Sequence, residues 1–283
     1  MTSDPERLFP GKTFISTVLD ALDTKNAMTG EVARIYLQRA AMAGMIIGVF
    51  YVANYLTVSA FAGEDPHADG ATLGKFVGGF VFGWALVFIY YTKSELLTST
   101  MMVVSIGAYY RRITLRRGLK VLSLCYLGNL IGGAVIAGLI AASTLASGAA
   151  AIHLDASVAT KLAYVTSGSA GMTDLFVRAI LCNFMINLAM LLIYNGFLTS
   201  DVAKMGAMIM SVLVFAFLGF EHSVANSVLF MIAGFQGTLD VMPALGNIGI
   251  CLLGNFVGGG VLIGLYYAWA NDEARYLRRR PAA

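Results

Sequence analysis

The chain has 283 residues, 58% of them hydrophobic and only 12% charged. Soluble domains carry roughly a quarter charged residues, so this composition excludes an ordinary cytosolic enzyme and leaves a chain built for the bilayer. The net charge of +3 matters less than where the charges fall. Cys125, Cys182 and Cys251 stand singly in apolar runs. That spacing suits neither a disulfide framework nor a metal site, so they read as buried thiols, with no metal or cofactor expected.

In chain order, residues 1–32 are polar, with Pro5, Pro10, Lys12 and Lys25 and no apolar core of a signal peptide. They read as a cytoplasmic N-terminal segment. Apolar runs then cover 35–62, 73–92, 98–110, 119–147, 173–198, 202–220, 223–236 and 244–270. A span needs about 20 mostly apolar residues, so four of these runs are too short to cross alone. Runs 73–92 and 98–110 are separated by Lys93-Ser94-Glu95, and runs 202–220 and 223–236 by Glu221-His222-Ser223. Each pair reads as one span broken in mid-membrane. The expectation is an all-α integral membrane protein with six spans, the second and fifth discontinuous.

Basic residues test that count, because cytoplasmic loops collect Lys and Arg. With an interior N-terminus, Arg111, Arg112, Arg116, Arg117, Lys204 and the tail Arg275 to Arg280 all fall inside. The outside loops hold Glu64, Asp65, Asp69, Asp155 and Asp240, with Lys75 and Lys161 as their basic residues. Both termini are therefore expected in the cytoplasm of a cell that carries the chain in its inner or plasma membrane.

The sequence also repeats itself. Leu127-Gly128-Asn129-Leu130-Ile131-Gly132-Gly133 matches Leu253-Gly254-Asn255-Phe256-Val257-Gly258-Gly259 at an offset of 126, and Glu95 and Glu221 share it. Arg39-Ala40 matches Arg178-Ala179 at 139. The boundaries that follow are a first three-span repeat over 33–147, an extracytoplasmic connection over 148–172, a second repeat over 173–270 and a basic tail over 271–283. Because three is odd, the second copy enters from the opposite side, an inverted repeat whose broken helices frame a site at the midplane.

Unwound backbone at membrane depth must face protein or a polar passage, so Glu95, Glu221 and His222 point inward as candidate pore residues. Either glutamate is suited to accept freed N–H groups at its break, a loop-shaping role. His222 has the side chain whose ordinary pKa, about 6.5, lies nearest physiological pH. Asn129 and Asn255 fit a packing hydrogen bond or a place on the pore wall equally well. Phe82, Leu86, Leu96 and Phe215 flank the breaks at helical spacing.

These residues together resemble the formate/nitrite transporter family. The resemblance rests on Glu95-Leu96-Leu97-Thr98-Ser99-Thr100, Arg178-Ala179-Ile180-Leu181-Cys182-Asn183, Gly219-Phe220-Glu221-His222-Ser223-Val224-Ala225-Asn226 and Gly254-Asn255-Phe256-Val257-Gly258-Gly259-Gly260, and covers about residues 20–272. It implies an aquaporin-like protomer assembled as a homopentamer, each protomer with its own pore for small monovalent anions such as formate, nitrite or hydrosulfide. It further implies that His222 is the central pore histidine, that Thr98 faces it and that Asn255 lines the same site. By the same carry-over, Phe82, Leu86 and Phe215 form one apolar constriction and Leu96 part of the other. The bilayer and the solute are the expected partners; no nucleic acid is.

There are two departures. Family members usually carry a vestibule lysine sixteen residues before the position of Asn183, where this chain has Ser167; Lys161 lies six residues further back. A unit charge about 10 Å from an ion at effective permittivity ~20 is worth roughly 1.7 kcal/mol, so its loss would weaken anion capture. Leu97 also stands where phenylalanine is frequent.

A bare anion between two dry rings pays several kcal/mol that its conjugate acid does not, so protonation at His222 is the expected aid to passage. The alternative is a pore for ammonia/ammonium or another small neutral solute, suggested by Ser167 and the two glutamates. An intramembrane enzyme using Glu221 and His222 is disfavoured, since no nucleophile–base pair or HExxH spacing is present.

Overall fold

The computed structural model describes residues 8–278; Pro5 and the tail arginines Arg279 and Arg280 lie outside the described residues. In lipid no water pairs with backbone N–H and C=O, which drives an apolar chain into helices. Every regular element among the described residues is helical: α1 (Lys12–Glu31), α2 (Ala33–Ala62), α3 (Ala71–Tyr91), α4 (Leu97–Tyr109), α5 (Leu115–Ala141), α6 (Ala149–Thr166), α7 (Ser169–Tyr194), α8 (Asp201–Phe217), α9 (Ser223–Gln236) and α10 (Val241–Asn255). The last continues as a π-helix over Phe256–Leu265 and regains α geometry at Tyr266–Ala270, before a short α11 (Glu273–Arg278). Among the described residues, α2, α3, α5, α7 and α10 with its continuation are long and apolar enough to cross a membrane. Helices α1 and α6 occupy the segments expected as a polar terminus and a connection.

Side-chain pattern decides which face of each helix turns inward. On α5, Leu127, Ile131, Val135 and Leu139 recur every four residues and are exposed, an apolar stripe with no protein against it, while Gly128, Asn129, Gly132 and Gly133 on the other side are buried. Those glycines allow α2 to lie directly on α5: a Cβ at Gly132 would overlap the Ala41 carbonyl, and one at Gly258 would overlap the Ile180 carbonyl of α7 in the same way. Small residues at helix seams serve this close approach. The halves also interlock, with α4 packed on the π segment of α10, α9 on α5, and α3 on α8.

Helical geometry stops between Tyr91 and Leu97 and again between Phe217 and Ser223. Both breaks have the same construction. The chain turns at a left-handed residue, Lys93 (φ 55°) or Gly219 (φ 67°). The Glu95 N–H donates to the Arg39 carbonyl (3.2 Å) and the Glu221 N–H to the Arg178 carbonyl (3.4 Å). Each arginine then reaches over its own loop, Arg39 Nε to the Lys93 carbonyl (2.7 Å) and Arg178 Nη1 to the Gly219 carbonyl (3.1 Å). One asparagine closes each loop. Asn129 accepts from Leu97 N–H (3.0 Å) and donates to the carbonyls of Ala40 and Glu95 (2.8 Å each). Asn255 accepts from Ser223 N–H (2.9 Å) and donates to Ala179 (2.8 Å) and Glu221 (3.0 Å).

Candidate functional site

The short helices that follow the two breaks start beside one another. Leu96 and His222 are their N-caps, both extended. The His222 Nδ1 accepts the Ala225 N–H at 3.2 Å, so in the neutral ring the proton sits on Nε2. That nitrogen lies 3.2 Å from the Thr98 Oγ1 of the first break, with both residues buried. A hydroxyl that accepts from Nε2 still has its own proton to present elsewhere.

Two spaces meet at His222. A cavity of about 630 Å³ is lined by Lys75, Lys161 and Arg178 against the single carboxylate of Glu221, and ends at Phe82, Phe215 and His222. The same three residues also line a void of about 20 Å³, room for one water. The rest of that void is apolar, including Leu86, Leu96 and Ile186, so His222 is its one polar residue among the described residues. The Phe82 and Phe215 rings stand edge to face at 6.1 Å, and Phe215 stacks on His222, also at 6.1 Å. Leu86 lines the void together with Phe82 and Phe215, and Leu96 lines it too.

Each glutamate is held by cations. Glu221 takes both oxygens to Lys161 Nζ at 2.8 Å and accepts Asn226 Nδ2 at 2.6 Å, all of it buried. Asn226 also donates to Asn247 Oδ1 (2.9 Å), whose own amide donates to the Lys161 carbonyl (2.9 Å). At the other break Glu95 pairs with Lys25 of α1 and with Arg39 Nη2 at 3.1 Å. The lysines of α1 and α6 thus hold corresponding places.

Two sequence-based expectations are corrected here. Ser167, expected at the pore in place of a lysine, is exposed and ends α6 as its C-cap. Lys161 is the residue that faces Glu221, because the packing of α6 against the second break, and not a count along the chain, selects the reaching side chain. Of the two grounds for an ammonium pore, Ser167 falls away, and the two glutamates are each paired with a cation. Asn129 and Asn255, left open between a packing hydrogen bond and the pore wall, with the resemblance placing Asn255 at the pore, are fully buried with their amides spent on backbone, so they shape loops and line neither space. Lys25 escaped notice because its segment reads as polar and terminal; its signal is a lysine-bearing helix before each repeat.

A cation-lined cavity that narrows past two aromatic rings to an apolar void, within a body of apolar helices, is the construction of a multi-pass membrane transport protein. The family model described as "Formate/nitrite transporter" matches residues 12–269, and the chain belongs to that family. Its relatives include the nitrite transporter NirC of Salmonella typhimurium (strain LT2), 30% identical over 278 residues, 92% of this chain and 94% of that protein. Among solved structures, an FNT family ion channel superposes with a TM-score of 0.78 at 26% identity, covering 92% of this chain and 99% of the other. A pentameric formate channel with formate bound shares the fold, with a TM-score of 0.69 at 22% identity over 87% of this chain and 98% of the other.

Proposed function

We propose that the chain conducts small monovalent anions of weak acids, formate, nitrite or hydrosulfide, with the anion crossing the dry region as its conjugate acid beside His222. The observation that carries this reading is His222 as the polar residue common to a cation-lined cavity and an apolar void. Lys161 is paired with Glu221 and Arg178 with Asp174, so Lys75 gives the cavity lining its net positive charge, which draws anions in. Beyond the Phe82–Phe215 pair a charge finds no compensating group, and several kcal/mol of desolvation favour the neutral acid. Because Nδ1 is held by the Ala225 N–H, direct donation requires a doubly protonated ring that gives up its cap bond. A proton that enters from the bulk through water and passes along the Thr98 hydroxyl, which hands on its own proton as it accepts the incoming one, keeps that bond.

In this reading α2, α3 with α4, α5, α7, α8 with α9, and α10 are six spans, and the two breaks enter from opposite sides. The first repeat over 33–147 and the second over 173–270 form one aquaporin-like protomer, and the protomers assemble as a homopentamer in the cell membrane with termini inside. Glu95, Glu221 and the two asparagines build the loops, Thr98 and His222 act on the solute, and Phe82, Leu86, Leu96 and Phe215 keep the passage dry.

Proteoliposomes carrying a formate gradient test it between about pH 5 and 8, the range around the ordinary histidine value. Flux rises as pH falls in the native chain, since the share of conjugate acid and of protonated donors grows. In His222→Phe that rise flattens. An unaltered pH profile in the variant refutes the role of His222, and methylammonium displacing formate as the preferred solute refutes the anion reading.

A further inference from the structure

The two halves repeat one another's contacts until α7 is compared with α2. Arg39 and Arg178, and Ala40 and Ala179, correspond at an offset of 139 and make the same bonds to their loops and asparagines. At that offset Gly44 and Gly48 of α2 correspond to Asn183 and Asn187 of α7. Gly44 lets α2 close on α5, since a Cβ there would overlap the Asn129 carbonyl. In the second half two fully buried amides take that space. Both crowd Gly259, where a Cβ would overlap the two amide nitrogens, and α10 runs as a π-helix there while the matching stretch of α5 stays α-helical.

Glycine does this packing in one half, so the amides have another use. Asn183 Nδ2 donates to the carbonyls of Asn255 (2.7 Å) and Thr98 (3.1 Å). Asn187 Nδ2 donates to Asn183 Oδ1 (2.8 Å) and to the Asn183 carbonyl (2.9 Å), so it orients the Asn183 amide, and it also reaches the Thr98 carbonyl at 3.3 Å. The Asn187 Oδ1 has no partner among the described residues. A buried amide kept with its acceptor unmatched points to a role for its donor side. Val224, which corresponds to Thr98 on the other loop, receives no side-chain donor on its carbonyl among the described residues. The bracing is one-sided, and it falls on the residue whose hydroxyl meets His222.

We infer that Asn187 is a positioning residue: with Asn183 it pins the Thr98 carbonyl from α7 and so aims the Thr98 hydroxyl at His222 Nε2. This rests on the reading of Thr98 and His222 under Proposed function. The first turn of α4 is then fixed at two points, Leu97 N–H by Asn129 and the Thr98 carbonyl by the asparagine pair.

A double-mutant cycle separates this role from simple packing. Formate flux is measured in proteoliposomes for the native chain, Asn187→Leu, Thr98→Val and the double variant. With Thr98 present, Asn187→Leu is expected to slow flux about tenfold and flatten its pH dependence; in the Thr98→Val background it costs less than about twofold. Equal fractional losses in both backgrounds overturn the inference. Should Asn187→Leu fail to assemble, Asn187→Ser carries the same cycle. The ¹⁵N resonance of His222 Nε2 gives a readout independent of transport: it is expected to move in Asn187→Ser, and an unchanged shift overturns the inference. A native chain that carries no formate refutes the transport reading instead, and the resonance still decides Asn187.

Discussion

Lys161 and Glu221 have side chains only 8% and 4% exposed, so neither charge can rely on water. Removing one partner of such a buried pair typically costs about 3–5 kcal/mol, because the other charge is stranded, whereas replacing both with neutral groups of similar size is often close to neutral. Lys161→Met is therefore expected to lower the apparent melting temperature of the detergent-purified protein, and Lys161→Met/Glu221→Gln to recover most of the loss. A double variant no more stable than the single one would show that the pair is not what holds α6 to the break. At this scale residue type alone singled out His222, and the resemblance implied that Thr98 faces it; the two lie 3.2 Å apart. The sequence misled where distance along the chain stood in for distance in space, as with Ser167 and Lys161.

Each loop at the breaks is a closed set of backbone bonds tied by one asparagine. A buried donor or acceptor left without a partner costs about 1–3 kcal/mol, and Asn129 and Asn255 each serve three backbone groups. Asn129→Leu and Asn255→Leu are expected to destabilise the protein by similar amounts and to depress formate flux together. Near-native stability and flux in either would mean the loop shape is held elsewhere. The breaks were visible in the sequence because a charged cluster inside an apolar run cannot stay helical against lipid. The asymmetry at α10 was not, since Gly-Asn-x-x-Gly-Gly is the same in both halves. The amides that α7 brings against Gly259 are one feature that sets the π-helical copy apart from the α-helical one.

The molecule leaves rows of large apolar side chains uncovered on its outer helices, among them Leu139, Leu245 and Leu253. Faces of this extent need lipid or a neighbouring copy. Light scattering in mild detergent is expected to give the protein mass of five protomers, and a monomer would refute the pentamer. Labelling of single cysteines placed near either terminus is expected from the cytoplasmic side alone, following the arginines at 111, 112, 116 and 117; labelling from the other side would refute the orientation. What the sequence by itself determined is the membrane class, the duplicated halves, the places where helices stop and the histidine, because hydropathy, periodicity and charge act locally along the chain. Which lysine meets which glutamate, which asparagines serve loops and which brace Thr98, and where the passage narrows were decided only when helices far apart in sequence packed together. A hydrogen bond or a desolvated charge depends on a few ångströms that no spacing in the chain records.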